Sequence, residues 1–200
     1  MDKNIELFEV ADVFVGVKIT NEDLQNADNV KEFKILNLNA IEDSKITNNF
    51  DDTINFDEAD KGEKVKVGFN RKIKNSSIKK QDLIIPLKRS NHQTLMVNWT
   101  SNEPLNYIYN TETLVIRVEK ELVLPKFMYY WLNNAMVLNY INSNASKNPN
   151  RISCSLINKL KIEVPPMEEQ QAIVDELDDI IQRRLLVEEK ISNYAKYYKK

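Results

Sequence analysis

Ten Lys and Arg fall between residues 61 and 90 against only Glu63 and Asp82, a local charge of +8. Residues 1–60 carry five Lys against fifteen Asp and Glu, a charge of -10. Cations clustered in this way can neutralise phosphates and release counterions even though the whole chain has a net charge of -2. Lys61, Lys64, Lys66, Lys72, Lys74, Lys79 and Lys80 suit phosphates, contacts that position a duplex without reading it. Asn70, Arg71, Arg89, Asn91 and His92 carry planar donors and acceptors that match base edges, where one bidentate pair is worth roughly 1–3 kcal/mol against a wrong base. Lys88 stands in the same basic segment, and a second, mildly basic stretch adds Lys147, Asn150 and Arg151. The plainer alternative is a solvated Lys-rich hairpin.

Covalent and hydrolytic chemistry is poorly supplied. One His (His92) and one Cys (Cys154) exclude a disulfide framework, a Cys-rich zinc site and a two-histidine metal site, so no metal and no cofactor is expected. Cys154 reads as a small buried residue beside a short helix. An N6-adenine methyltransferase needs Asn or Asp followed by Pro-Pro and an aromatic residue, with a Gly-rich cofactor loop; the three glycines (Gly16, Gly62, Gly68) form no such loop. Glu32-Phe33-Lys34 with Asp23 or Asp28 upstream matches a metal-dependent nuclease only at chance level. No run approaches the ~18 apolar residues of a membrane span, and Met1 to Asn4 is polar, so no membrane association and a cytoplasmic location are expected.

The elements that must hold these residues follow from the apolar pattern. Leu7, Val10, Ala11 and Phe14 have helical spacing and predict a short helix ending near Gly16. Phe33 to Leu38 reads as a strand, and the Asn- and Asp-rich stretch from Asn39 to Asp60 as an exposed loop. Between Lys61 and Val118 the pattern is short strands around residues 65–67, 83–87, 95–97, 105–109 and 114–118. Pro86 has no N–H, so its strand should be at an edge, bulged, or ending there, with a basic loop at residues 88–92 beyond. Pro125 opens a helix whose apolar face runs through Phe127, Tyr130, Trp131, Leu132, Ala135, Leu138 and Ile141. The polar stretch from Asn142 to Asn150 reads as a loop, Ser153 as an N-cap, and residues 160–164 as a half-buried strand stopped by Pro165-Pro166.

From Met167 onward there is neither Pro nor Gly. Ile173, Leu177, Ile180, Val187, Ile191, Tyr194 and Tyr198 recur at heptad steps, with Arg184 filling the one skipped position. About 32 residues at ~1.5 Å each give a helix of roughly 48 Å, longer than a small sheet needs as a cap, so it should project or pair. Glu168 and Glu169 at its start, and Lys199 and Lys200 at its end, suit the helix dipole.

Three segments together resemble the specificity subunits of type I restriction-modification systems. Residues 151–170, ending Pro165-Pro166-Met167-Glu168-Glu169-Gln170, are similar to the signature that closes each target recognition domain in that family, directly before a long spacer helix. Leu124 to Leu132 is similar to the helix before the family's DNA-facing loop. Lys80-Gln81-Asp82-Leu83-Ile84-Ile85 resembles its Gly-Asp-hydrophobic strand, with Gln81 where Gly is usual. The resemblance implies an α+β fold: a mixed, mostly antiparallel sheet with packed helices as the target recognition domain (residues 1–166), then a C-terminal coiled-coil helix (167–200). It further implies a non-catalytic subunit that reads half of a split double-stranded DNA target for a methyltransferase (modification) subunit and a restriction-translocase subunit. One domain and one helix, with no internal repeat, imply half of a full subunit and a homodimer formed through residues 170–198. A second class stays open, a coiled-coil module that binds another protein, its basic segment only solubilising.

Overall fold

The run Leu83-Ile84-Ile85-Pro86 is buried at every position, the pattern of a strand packed on both faces. A computed structural model describes residues 4–21, 23, 30–36, 53–55, 63–68, 71–87, 93–98, 106–147 and 150–197. In chain order its elements are β1 (Asn4–Glu6), a 3-10 turn (Leu7–Glu9), β2 (Ala11–Val15), β3 (Val30–Leu36), β4 (Thr53–Asn55), β5 (Glu63–Gly68) and α1 (Arg71–Ser76). There follow β6 (Leu83–Pro86), β7 (Leu95–Asn98), β8 (Tyr107–Tyr109), β9 (Thr113–Val118), α2 (Pro125–Leu132) and α3 (Ala135–Asn144). Then come β10 (Ser146–Lys147), β11 (Asn150–Arg151), α4 (Cys154–Asn158), β12 (Lys161–Glu163) and α5 (Met167–Tyr197).

The central sheet has the order β2-β9-β6-β7-β4 and is antiparallel except for the β7–β4 pair. A smaller sheet, β5-β3-β8, pairs β3 antiparallel to β5 and parallel to β8. Two-residue periodicity divides the side chains of the central sheet between its faces. Leu83, Ile85, Leu114, Ile116 and Val118 meet Phe127, Met128, Leu132, Ile141, Ile157 and Val174 from the helices. Ile84, Val97 and Val115 point the other way, into Leu36, Ile78, Tyr107 and Tyr109 beside the smaller sheet. Ile73 of α1 is fully buried in a third cluster with Phe33, Val67 and Ile108. No helix among the described residues is long and apolar enough to cross a membrane.

Several expectations need correction. Residues 7–14 form a 3-10 turn and a strand rather than a helix, because Ala11 to Val15 pairs in register with Leu114 to Val118. The helix expected from Pro125 is two, broken at Asn133 and Asn134. Asn133 accepts from Thr94 N–H and donates to Thr94 O, both at 3.0 Å, while Asn134 caps α3 through Met136 N–H. The expected loop after Asn142 is helical to Asn144 and then forms the β10–β11 pair. Residues 53–55 of the expected Asn/Asp loop form β4, and α1 interrupts what reads as a run of strands. Cys154 is half-buried rather than buried, and burial pushes its thiol pKa up. The β6 strand ends at Pro86, and Ser153 caps α4 by accepting from Leu156 N–H at 3.2 Å.

Gln81 has φ 70°, the left-handed region that favours glycine. The conformation is imposed from both sides: Gln81 N–H donates to Val97 O, and Val97 N–H to Asp82 O. Gln81→Gly is therefore expected to stabilise the chain by about 1 kcal/mol, raising Tm by roughly 2–4 °C in thermal melts. The surface bond from Lys120 Nζ to Gln81 Oε1 is too exposed to offset this.

Candidate nucleic-acid interface

The basic helix α1 is positioned from beneath. Ile73 and Ser76 are buried, whereas Arg71, Lys72 and Lys74 on the helix, and Lys79 and Lys80 just beyond it, are exposed. Arg71 and Lys74 have no ion-pair partner among the described residues. Lys72 does: its Nζ lies 2.8 Å from Asp23 Oδ2 and 2.9 Å from Lys18 O. That hydrogen bond, together with those from the Thr20 hydroxyl and N–H, holds the Asp23 carboxyl at about 2 against an ordinary 3.8. Lys72 is thus a brace for the 18–23 segment as much as a surface charge.

Beneath this segment is a buried charge cluster that sequence reasoning missed. Asp82, 2% exposed, accepts from Arg117 Nε and a terminal guanidinium nitrogen, each at 2.7 Å. It also accepts from Tyr109 OH at 2.9 Å and Lys79 N–H at 2.8 Å. Arg117 gives two further donors to Asn75 O and Ser77 O, at and just past the C-terminal end of α1, and lies 5.2 Å from the centre of the Phe14 ring. Burial pulls the Arg117 pKa down, but the hydrogen bond and charge of Asp82 outweigh it and the net shift is upward. Burial, then Asp82, push the Tyr109 hydroxyl well above its ordinary 10.0, so it remains a donor. The cluster engages the one acid between Lys64 and Leu87 and fastens the end of α1 to β9, with Arg71 and Lys74 exposed on the helix. The only signal for it in the sequence was Asp82 in its motif; Arg117 resembled any polar residue of a strand.

The other expected residues divide. Lys147, Asn150 and Arg151 lie on the β10–β11 pair, with Lys147 opposite Asn150. That pair is flanked by Ala145 and Ile152, buried in the cluster under the helices, whereas α1 is rooted through Ile73 on Phe33, Val67 and Ile108 of the smaller sheet. The two basic groups therefore have separate footings. Asn70, Lys88, Arg89, Asn91 and His92 lie outside the described residues. Among the described residues no group of three His, Cys, Asp or Glu could hold a metal ion.

The C-terminal helix carries two faces. Gln170, Val174 and Ile181 are buried against the globule, with Asp178 and Leu185 half-buried on the same side. Ile180, Val187, Ile191 and Tyr194 are 53–68% exposed and form a row roughly a third of a turn away at ~100° per residue. Arg184 in that row pairs with Glu188 of its own helix at 2.8 Å. Ile173 and Leu177, expected in the same seam, are half-buried, so the first half of α5 belongs partly to its own domain. Tyr198 lies outside the described residues. Gln170 makes the attachment specific: its Nε2 donates to Leu122 O and Pro165 O, and its Oε1 accepts from Leu124 N–H.

The architecture is thus a mixed sheet covered by helices, a basic helix fastened beside it and a long C-terminal helix. The chain matches the family described as type I restriction modification DNA specificity domain over residues 3–196, and it belongs to that family. Among solved structures it is similar to a chain from a study of complex assembly and conformational transition of the type I R-M system. The identity is 18% and the TM-score 0.60, over 96% of this chain and 41% of that one. It is also similar to the HsdS subunit from Thermoanaerobacter tengcongensis, with 17% identity and a TM-score of 0.52, over 94% of this chain and 39% of that one. At these identities the likeness is one of fold, and the chain spans about two fifths of the length of these relatives. No curated protein sequence matches it.

Proposed function

We propose that this chain is a non-catalytic, cytoplasmic DNA-reading subunit that recognises one half of a bipartite duplex target. In this reading it docks a methyltransferase subunit and a restriction-translocase subunit. The observation that carries the reading is the set Arg71, Lys74 and Lys79, exposed on a segment whose own acid is neutralised from below by Arg117. Such a surface attracts phosphates, and its rigid footing suits the constant geometry that base reading demands. If Arg71 and Lys74 touch phosphates, replacing both by Ala should reduce the salt slope of DNA binding by roughly one unit for each residue, measured as log affinity against log salt. An unchanged slope would remove α1 from the interface.

Two copies pair, in this proposal, through the exposed row on α5, giving a twofold arrangement and an interrupted palindromic target. The apolar row of Ile180, Val187, Ile191 and Tyr194 supports it, because a surface helix seldom leaves that stripe in water. Ile191→Asp is expected to convert a dimer to a monomer in sedimentation velocity, and an unchanged mass would mean that the row has no second copy against it.

A further inference from the structure

Asp178 interrupts the buried face of α5 between Val174 and Ile181, which are 4% and 9% exposed. Its Oδ2 accepts from Lys126 Nζ at 2.7 Å and its Oδ1 from the Tyr130 hydroxyl, both donors lying one turn apart on α2. Lys126 also stands 6.0 Å from the centre of the Tyr130 ring, so the three groups form one unit. Dispersion between apolar side chains has little directionality and permits sliding and rotation of packed helices, whereas a carboxylate held by two directed donors does not. A polar group set into an apolar helix seam is best attested as a device that fixes register.

We propose that Asp178, with Lys126 and Tyr130, is a positioning residue that fixes the angle and rotation at which α5 leaves the globule, and thereby the spacing between the two half-sites read by a pair of chains. Past Ile181 most of α5 is exposed, and Tyr197 lies about 24 Å further along the axis. A tilt of about 15°, the ordinary scatter among packed helices, would swing that end by about 6 Å. That is nearly two base-pair steps at ~3.4 Å each. Rotation matters equally, because the apolar row must be aimed at its counterpart. The consequence for spacing rests on the DNA-reading proposal; the fixed angle does not.

The angle can be read as a distance between spin labels at Asn139→Cys on α3 and Lys190→Cys on α5, in a Cys154→Ser background diluted with unlabelled chain. Intact Asp178 predicts one narrow distance. Asp178→Leu, which suits the apolar face and keeps the fold, predicts a shift or broadening of about 3 Å. Should that variant fail to fold, Lys126→Met with Tyr130→Phe cuts the same contacts from α2. An unchanged narrow distance in a folded variant overturns the proposal. In cells carrying the methyltransferase, Asp178→Leu should keep the half-site bases but methylate sites with more than one gap length; a single unchanged gap overturns the spacing claim. Absence of chain-dependent methylation with the unsubstituted protein would instead refute the DNA-reading proposal, and the distance measurement would still decide the fixed angle.

Discussion

Gln170→Ala is expected to destabilise the chain by about 3 kcal/mol, a fall in Tm of roughly 6–12 °C for a protein of this length. The side chain is 1% exposed and satisfies three backbone groups at once: the carbonyls of Leu122 and Pro165 and the N–H of Leu124. Truncation leaves all three without this partner, at about 1–3 kcal/mol for each group that stays dry. Gln170→Glu should be at least as harmful, because a carboxylate oxygen would then face two carbonyl oxygens. Urea or thermal denaturation checks both, and a loss below about 1 kcal/mol for Gln170→Ala would show that the contacts are replaced by water. The same side chain joins the start of α5 to the segment entering α2, so its loss should loosen the helix from the globule before the sheet melts.

Arg117→Met is expected to cost about 3–5 kcal/mol, the penalty for stranding a buried carboxylate whose partner is removed. Asp82 would keep Tyr109 OH and Lys79 N–H as donors but no compensating charge. Adding Asp82→Asn should restore part of the loss, since the amide oxygen still accepts from both without a charge to bury. A double variant no more stable than Arg117→Met alone would mean that the charge is not what the site depends on. The functional consequence is separable. Asn75 and Ser77 lose their guanidinium donors, so α1 should be less firmly held and DNA affinity should fall even under conditions where the variant remains folded.

Strands β6, β7 and β9 of the central sheet were legible because they are short apolar runs buried at nearly every position, and because the one proline among them ends its strand. The long C-terminal helix was legible from uninterrupted helix formers after Pro165-Pro166. What escaped depends on partners remote in sequence. Leu7, Val10, Ala11 and Phe14 fit a helical stripe, yet pairing of Ala11–Val15 with β9, about a hundred residues away, decided the outcome. The break between α2 and α3 is held by Asn133 reaching Thr94, a contact 39 residues distant. Arg117 has no local signature, because its role depends on Asp82 lying one strand over in register. On α5 the heptad count found the row that leads outward and missed Val174 and Ile181, because the helix serves two surfaces and the arithmetic selects one. Within the candidate interface, residue types were legible but partnership was not: Lys72 and Lys74 differ only in what stands beside them.

The most direct test of the DNA-reading proposal is to map methylated adenines across a genome in cells that carry the cognate methyltransferase with and without this chain. The prediction is one interrupted motif, its halves inverted copies of each other, methylated only when the chain is present. The same methylated sites in both strains, or none in either, would contradict it.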